Sequence, residues 1–358
     1  MDSVVFDPEE ERRPASARAA VACAAALIVL AGCSHVRPST SLPAATTAAT
    51  VDRSAASLQD AFEHVVDRVR PSVVEISTGS GLGSGVVYDG QGDVVTNAHV
   101  VGDSTTFKVT LGDGRTLPAG LVGTFAPDDL AVIKLNGSSL PPPATFADSS
   151  KVHVGAISLA VGNPLGLASS VTQGIVSFNG RTVAEGGGVV LPSTIQTSAA
   201  INPGNSGGAL ADIDGNVIGI PTLAATDPEL NGSIAAGIGF AIPSNTVKTI
   251  GDQLVRRGKV TTSGRAALGI QATDAVAESG DPTGVLVRST EPHSGAAAAG
   301  IGPGDVILSV DGKPTPDLGA LADILAAKNP GDRVRVEVTK PDGSTKTYDV
   351  TLSDLSTP

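Results

Sequence analysis

The run Ile201-Asn202-Pro203-Gly204-Asn205-Ser206-Gly207-Gly208-Ala209-Leu210 sets one serine in a glycine-flanked turn. Backbone N–H groups in such a turn can converge on a developing oxyanion, so Ser206 reads as a nucleophile. A serine hydroxyl attacks only when a base takes its proton, which requires a histidine and behind it an orienting carboxylate. Of the five histidines, His35 lies in a Ser/Thr/Pro-rich tract, His64 on an expected helix, His153 at the opening of an apolar strand and His293 in a Pro/Ser/Gly loop. His99 differs: it ends Asp93-Val94-Val95-Thr96-Asn97-Ala98-His99, where a strand delivers the imidazole to the tip of a rigid element. An imidazole with the ordinary pKa of about 6.5 is largely neutral near pH 7 and can accept a proton. The carboxylate is sought in Pro127-Asp128-Asp129-Leu130-Ala131-Val132, an acidic pair leading into an alternating apolar strand. Asp129 adjoins that strand, and Asp128 is the reserve candidate.

The order His, Asp, Ser, carried by TNAHVV, DDLAVIKL, VGNPLGL, SVTQGIVS, INPGNSGGAL and GIGFAIPSN, resembles the HtrA/Deg family of chymotrypsin-fold serine proteases over roughly residues 55–353. The resemblance implies His99 as general base, Asp129 as its orienter and Ser206 as nucleophile, with the N–H groups of Gly204 and Ser206 as the oxyanion hole. It also implies that Thr222, Leu223 and Ala224 pair with substrate backbone and wall the primary pocket. A loop arginine, Arg181, matches one that the family uses to relay occupancy to the oxyanion hole.

Departures from the family pattern carry their own expectations. Ser198 stands where the family usually has Asp, which removes a supporting contact. Ala200, six residues before Ser206, occupies the place where enzymes specific for Lys or Arg hold an acidic residue, so cleavage after small or medium aliphatic residues is expected. Asn205 replaces the Asp that pairs with a freed N-terminus in zymogens, so activation by propeptide cleavage is not expected. Pro221 stands where relatives commonly have Asn and lacks an N–H, which removes one ladder bond.

With a formal charge of −12 and no basic stripe, the chain is a poor nucleic-acid binder. Arg12, Arg13 and Arg18 precede an apolar run over residues 19–31, shorter than the roughly 20 residues of a spanning helix, and Leu30-Ala31-Gly32-Cys33 reads as a lipobox. Residues 1–32 are therefore expected to be a lipoprotein signal peptide, with Cys33 lipidated and the protein facing outward at a bacterial membrane. An uncleaved anchor, or a start codon placed too early, is the alternative. Residues 33–56 read as a flexible Ser/Thr/Ala/Pro tether. Cys23 leaves with the signal, so no disulfide is expected.

Stepping along the chain, a helix is expected with Leu58, Phe62, Val65, Val66 and Val69 on one face, ended by Pro71. Short alternating strands over residues 73–135 and 156–242 make two barrels, and Ser244 is expected to cap a helix closing at Gly258. The expected fold is mostly β: a chymotrypsin-like double β-barrel over residues 57–258, then an α+β domain over residues 262–354 that resembles a bacterial PDZ domain. There, Ala267, Leu268, Gly269 and Ile270 would bind a peptide's C-terminal carboxylate, and Leu321 and Leu325 would line its side-chain pocket. The whole reads as an envelope serine endopeptidase acting on unfolded or C-terminally exposed polypeptides, with no metal or organic cofactor; the family resemblance implies a homotrimer. The competing reading is an inactive peptide-binding chaperone or adaptor.

Overall fold

Short strands punctuated by glycine turns close into rings, because closure leaves no unpaired edge. The structure, a computed structural model, describes residues 49–79, 81–163, 170–186, 189–202, 204–227, 233–277 and 280–356. After helix α1 (Ala49–Val69) come β1 (Val73–Ser77), β2 (Leu82–Val87), β3 (Asp93–Thr96), the one-turn helix α2 (Ala98–Val101), β4 (Thr106–Thr110), β5 (Thr116–Phe125) and β6 (Leu130–Leu135). These strands close a barrel in the order β1-β2-β3-β6-β5-β4. Next come β7 (Ile157–Gly162), β8 (Ser170–Gly186), β9 (Val189–Thr197), β10 (Ala209–Ala211), β11 (Val217–Asp227) and β12 (Ser233–Pro243), a second barrel in the order β10-β11-β12-β9-β8-β7, then α3 (Ser244–Arg257).

The C-terminal region comprises β13 (Ala266–Ala267), β14 (Ile270–Val276), β15 (Pro282–Thr290), α4 (Gly295–Ala299), β16 (Val306–Val310), β17 (Lys313–Pro314), α5 (Leu318–Ala326), β18 (Arg333–Thr339), β19 (Thr345–Thr351) and β20 (Ser353–Asp354). Its main sheet runs β14-β15-β16-β18-β19, with β17 on β16, while β13 pairs with β20. Both barrels and the separate α+β sheet match the expected fold class.

Alternation along the strands divides the interior. In β6, Ala131 and Ile133 fill the first barrel with Val74, Ile76 and Val94, whereas Leu130 and Val132 turn to a seam shared with Leu159 and Val161 of β7. Ala160, between those two, fills the second barrel. Val65 and Val69 of α1 and Val247, Ile250 and Leu254 of α3 complete the seam. Each such side chain contributes about 1.5–3 kcal/mol on burial, so the helices staple one barrel to the other.

Three local features differ from expectation. Helix α1 begins at Ala49, so residues 49–56 are helical instead of tether; their alanines favour helix once Val65 and Val69 anchor the far end. Leu58 is exposed, off the buried stripe. Ser244 is the first residue of α3, not its cap: Pro243 takes that place, and the serine hydroxyl donates to the Ala147 carbonyl at 2.9 Å. The expected signal peptide, Cys33 and most of the tether lie outside the described residues.

Arg265, at the entry to the C-terminal sheet, grips the turn that precedes β6. Its Nη1 donates to the Pro127 carbonyl at 2.7 Å and to Asp128 Oδ1, and its Nη2 donates to the Val190 carbonyl at 3.0 Å. Asp128 is almost wholly buried; desolvation pushes its carboxyl up, and the Arg265 guanidinium opposes that rise. An acid raised on folding binds its proton more tightly in the native state, so its contribution to stability is present below the ordinary carboxylate range and is lost as pH rises above that range through the raised native value. Removing Arg265 enlarges that loss. Arg265→Met is expected to cost about 3 kcal/mol near neutral pH by leaving a buried charge unpaired, and thermal melts should show the deficit narrowing as pH falls and the raised Asp128 carboxyl takes up its proton.

Candidate active site

Every oxygen of Asp129 accepts a hydrogen bond. The 3-10 turn Ala126–Asp128 ends on it, and it adopts the left-handed conformation (φ 48°), which is unfavourable for a non-glycine residue. That cost is offset by hydrogen bonds. Its backbone carbonyl accepts from the Ala98 N–H and from Asn97 Nδ2, each at 3.1 Å. Its Oδ1 accepts from the His99 N–H at 2.9 Å, and its Oδ2 accepts from His99 Nδ1 at 2.8 Å and from Thr222 Oγ1 at 2.6 Å. A carboxylate only accepts, so His99 Nδ1 carries the hydrogen and Nε2 is the nitrogen that can take a proton. His99 itself lies in α2, one turn beyond the end of β3.

Ser206 reaches the same place from the second barrel. Its carbonyl accepts from the Ser84 N–H at 2.9 Å, which ties the Ser206 turn to β2. Gly207, at φ 81°, makes this possible: a Cβ there would stand 2.1 Å from the Ser84 carbonyl oxygen. The N–H groups of Asn205, Gly207 and Gly208 donate to the carbonyls of Asn202, Pro221 and Asn205 at 2.9–3.0 Å. Among the described residues, those of Gly204 and Ser206 find no backbone acceptor. The Ser206 hydroxyl donates to the Thr222 carbonyl at 3.0 Å.

His99, Gly204 and Ser206 line one cleft of about 460 Å³, with Leu82, Val100, Ile201 and Ala224 among its other walls. Such a site can move a proton from a hydroxyl to an imidazole and can receive an anionic oxygen on two amides. Ala200 does not line it, contrary to expectation. Along this extended segment Ala199 and Ile201 are buried while Ala200 faces solvent, so Ile201 forms the wall. Thr222 likewise differs from its expected place against substrate. The register between β11 and β12 slips between Pro221 and Leu223, and the bulge turns Thr222 inward onto Asp129. The Leu223 side chain lies outside what the structure describes. Ser198 Oγ accepts from the Ile175 N–H at 3.0 Å.

A second groove of about 720 Å³ brings Ala267, Leu268, Gly269, Ile270, Leu321 and Leu325 together, and Pro127, Val190 and Pro192 of the barrels close its far side. Leu268 and Leu321 are also buried in the sheet's own core. Arg181 lines neither groove; its guanidinium lies 4.8 Å from the centre of the Phe178 ring.

Sequence reading missed the side-chain role of Thr222 and the contributions of Asn97 and Ser84. Signals for two of them were present: a proline inside a paired strand marks a bulge, and the glycines flanking Ser84 in Gly83-Ser84-Gly85 mark close backbone approach.

Residues 83–220 match the model of the trypsin-like peptidase domain, and residues 266–352 match that of the PDZ domain. The periplasmic pH-dependent serine endoprotease DegQ of Escherichia coli (strain K12) is 39% identical, covering 77% of this chain and 60% of its own length. The serine endoprotease DegS of Salmonella typhimurium is 36% identical, covering 85% of each. The solved structure of the HtrA-type protease AlgW with decapeptide is 31% identical with a TM-score of 0.55, covering 83% of this chain and 99% of that one. The chain spans 56–65% of the length of several curated relatives that it matches. Trypsin-like barrels followed by one PDZ domain, at these identities and coverage, place the chain in the HtrA/Deg family.

Proposed function

We propose that this chain is a serine endopeptidase of the bacterial cell envelope. His99 is the general base, Asp129 orients it, Ser206 is the nucleophile, and the N–H groups of Gly204 and Ser206 form the oxyanion hole. The observation that carries the reading is the double grip of Asp129 on His99, backbone and ring together, beside Ser206 in one cleft. In the reaction the Ser206 hydroxyl turns from the Thr222 carbonyl to Nε2 of His99, loses its proton there and bonds to the scissile carbonyl carbon. The oxyanion rests on the two amides. Collapse of the tetrahedral species breaks the C–N bond as His99 returns the proton to the leaving amine, and water then hydrolyses the acyl-enzyme by the same route.

The primary pocket takes small or medium aliphatic residues, since Ile201 and Ala224 wall the cleft and no carboxylate joins them among the described residues lining it. The groove between residues 267–270 and α5 holds the C-terminus of a polypeptide, the β14 edge pairing with its backbone. Lipid on Cys33 tethers the mature chain to a membrane; DegQ, a periplasmic endoprotease, supports the envelope location. The chain assembles as a homotrimer, with an apolar face of Phe62 and Val66 of α1 beside Val171 of β8 as the surface available for packing.

Loss of the nucleophile is the direct test. Ser206→Ala should lower kcat by at least about 10⁴-fold and abolish labelling by a serine-directed phosphonate, with folding unchanged by circular dichroism. An unlabelled wild-type chain that still binds C-terminal peptides would favour the chaperone reading instead. Thr222→Val removes one donor to the Asp129 carboxylate while keeping its shape, and should lower kcat about 10- to 100-fold in a peptide assay; Thr222→Ser should restore most of it. A cleavage-site profile of residues 49–358 should show aliphatic residues before the cut bond and depletion of Lys and Arg.

A further inference from the structure

Ser84 is fully buried in β2 of the first barrel, yet every polar atom it owns reaches another segment. Its N–H donates to the Ser206 carbonyl at 2.9 Å, and its own carbonyl accepts from Thr96 Oγ1 at 2.6 Å. Its hydroxyl accepts from the Asn163 N–H at 2.8 Å, so its one hydrogen is given to the Gly204 carbonyl at 2.5 Å. One serine of the first barrel thereby holds two carbonyls of the second barrel's nucleophile turn.

The Gly204–Asn205 peptide is pinned at both ends, its carbonyl by the Ser84 hydroxyl and its N–H by the Asn202 carbonyl. The Ser206–Gly207 peptide is pinned likewise, by the Ser84 N–H and the Pro221 carbonyl. Between them, the Asn205 carbonyl accepts from the Gly208 N–H, which commits the Ser206 N–H to the opposite side of a trans peptide. Gly204 sits at φ 104°, where backbone without a Cβ turns most freely, so its carbonyl is the point at which the turn most needs an anchor. A turn of the Gly204–Asn205 peptide would aim a carbonyl, the wrong sign of dipole, into the space between the two unused amides.

We propose that the Ser84 hydroxyl is a positioning residue for the oxyanion hole, holding the Gly204 carbonyl away from the cleft so that no carbonyl stands in the space that the Gly204 and Ser206 amides offer to the oxyanion. This rests on the reading of Ser206 as nucleophile. Ser84 touches neither His99 nor Asp129 in the hydrogen bonds described, so its effect falls on stabilisation of the tetrahedral species and not on proton transfer.

The test uses the full chain carrying Ser84→Ala, a peptide substrate and a peptide boronic acid whose tetrahedral adduct with Ser206 occupies the hole. Expected is a fall in kcat of roughly 10- to 100-fold, smaller than the roughly 10² to 10³ for outright loss of a donor, with KM nearly unchanged. Boronate affinity should fall in proportion, the pH–rate profile should keep its acidic limb, and Ser84→Thr, which keeps the hydroxyl, should recover turnover. A folded Ser84→Ala with wild-type kcat and boronate affinity overturns the proposal, as does a kcat loss accompanied by a shifted acidic limb, which would place the effect on His99. If Ser84→Ala does not fold, Ser84→Cys, with a weaker donor of similar shape, must show the same selective losses, and unchanged values count against the proposal equally. Phosphonate labelling of wild type separates the failures: an unlabelled wild type sinks the reading of Ser206 and this proposal with it, whereas a labelled one with an unaffected Ser84 variant sinks this proposal alone.

Discussion

A carboxylate taken out of water stays charged only if donors surround it, and Asp129 draws its donors from both barrels. His99 supplies two from the first barrel and Thr222 supplies one from the second. The interaction therefore works as a spatial constraint before it works as chemistry: neither barrel can shift along the seam without stripping a donor from a buried charge. The apolar seam of Leu130, Val132, Leu159 and Val161 pulls the barrels together without direction, and the hydrogen bonds at Asp129 and across to Ser206 select one register.

That division of labour explains why the site sits where it does. Residues that fill a barrel interior are fixed by alternation within their own sheet, but the seam has to be matched between sheets. Polar groups placed in it must find partners on the other side. Ser84 of the first barrel, itself held by the Thr96 hydroxyl, meets Gly204 and Ser206 of the second through their backbone carbonyls, and Gly207 has no Cβ so that the chains can approach. A catalytic constellation split over two domains needs such a second layer of contacts, because the tolerance for misplacement of reacting groups is well under an ångström.

How much of this was legible in the sequence depends on whether a property is local. Ser206, His99 and Asp129 could be picked out as candidates because their flanking residues read as a turn, a strand end and a strand start over a few positions, although His99 falls in the one-turn helix just beyond its strand. The two barrels followed from alternation and glycine turns. The side-chain direction of Thr222 did not: Pro221 marks a bulge locally, but which way that bulge turns the next side chain depends on the pairing with β12. Ala200 failed for a related reason: whether position 200 or 201 faces the cleft is a question of phase, and a phase error of one residue sends a side chain to the other side of an extended segment. Ser84 was hidden more deeply, since its partners outside the first barrel lie 79 to 122 positions away and only its flanking glycines hint at them.

The acidic pair shows the same limit from the other side. Asp128 and Asp129 are chemically identical, adjacent and both buried, yet one meets Arg265 and the other His99. What separates them is a single backbone event: the 3-10 turn closes through the Asp129 N–H to the Ala126 carbonyl, and Asp129 then enters the left-handed region, which swings the two carboxylates apart. The assignment of one aspartate to the imidazole and the other to the C-terminal domain is thus made by φ at position 129, not by side-chain chemistry. It follows that the Arg265 clamp and the orientation of His99 share one short turn. Each carboxylate's donors help hold the geometry that the other requires.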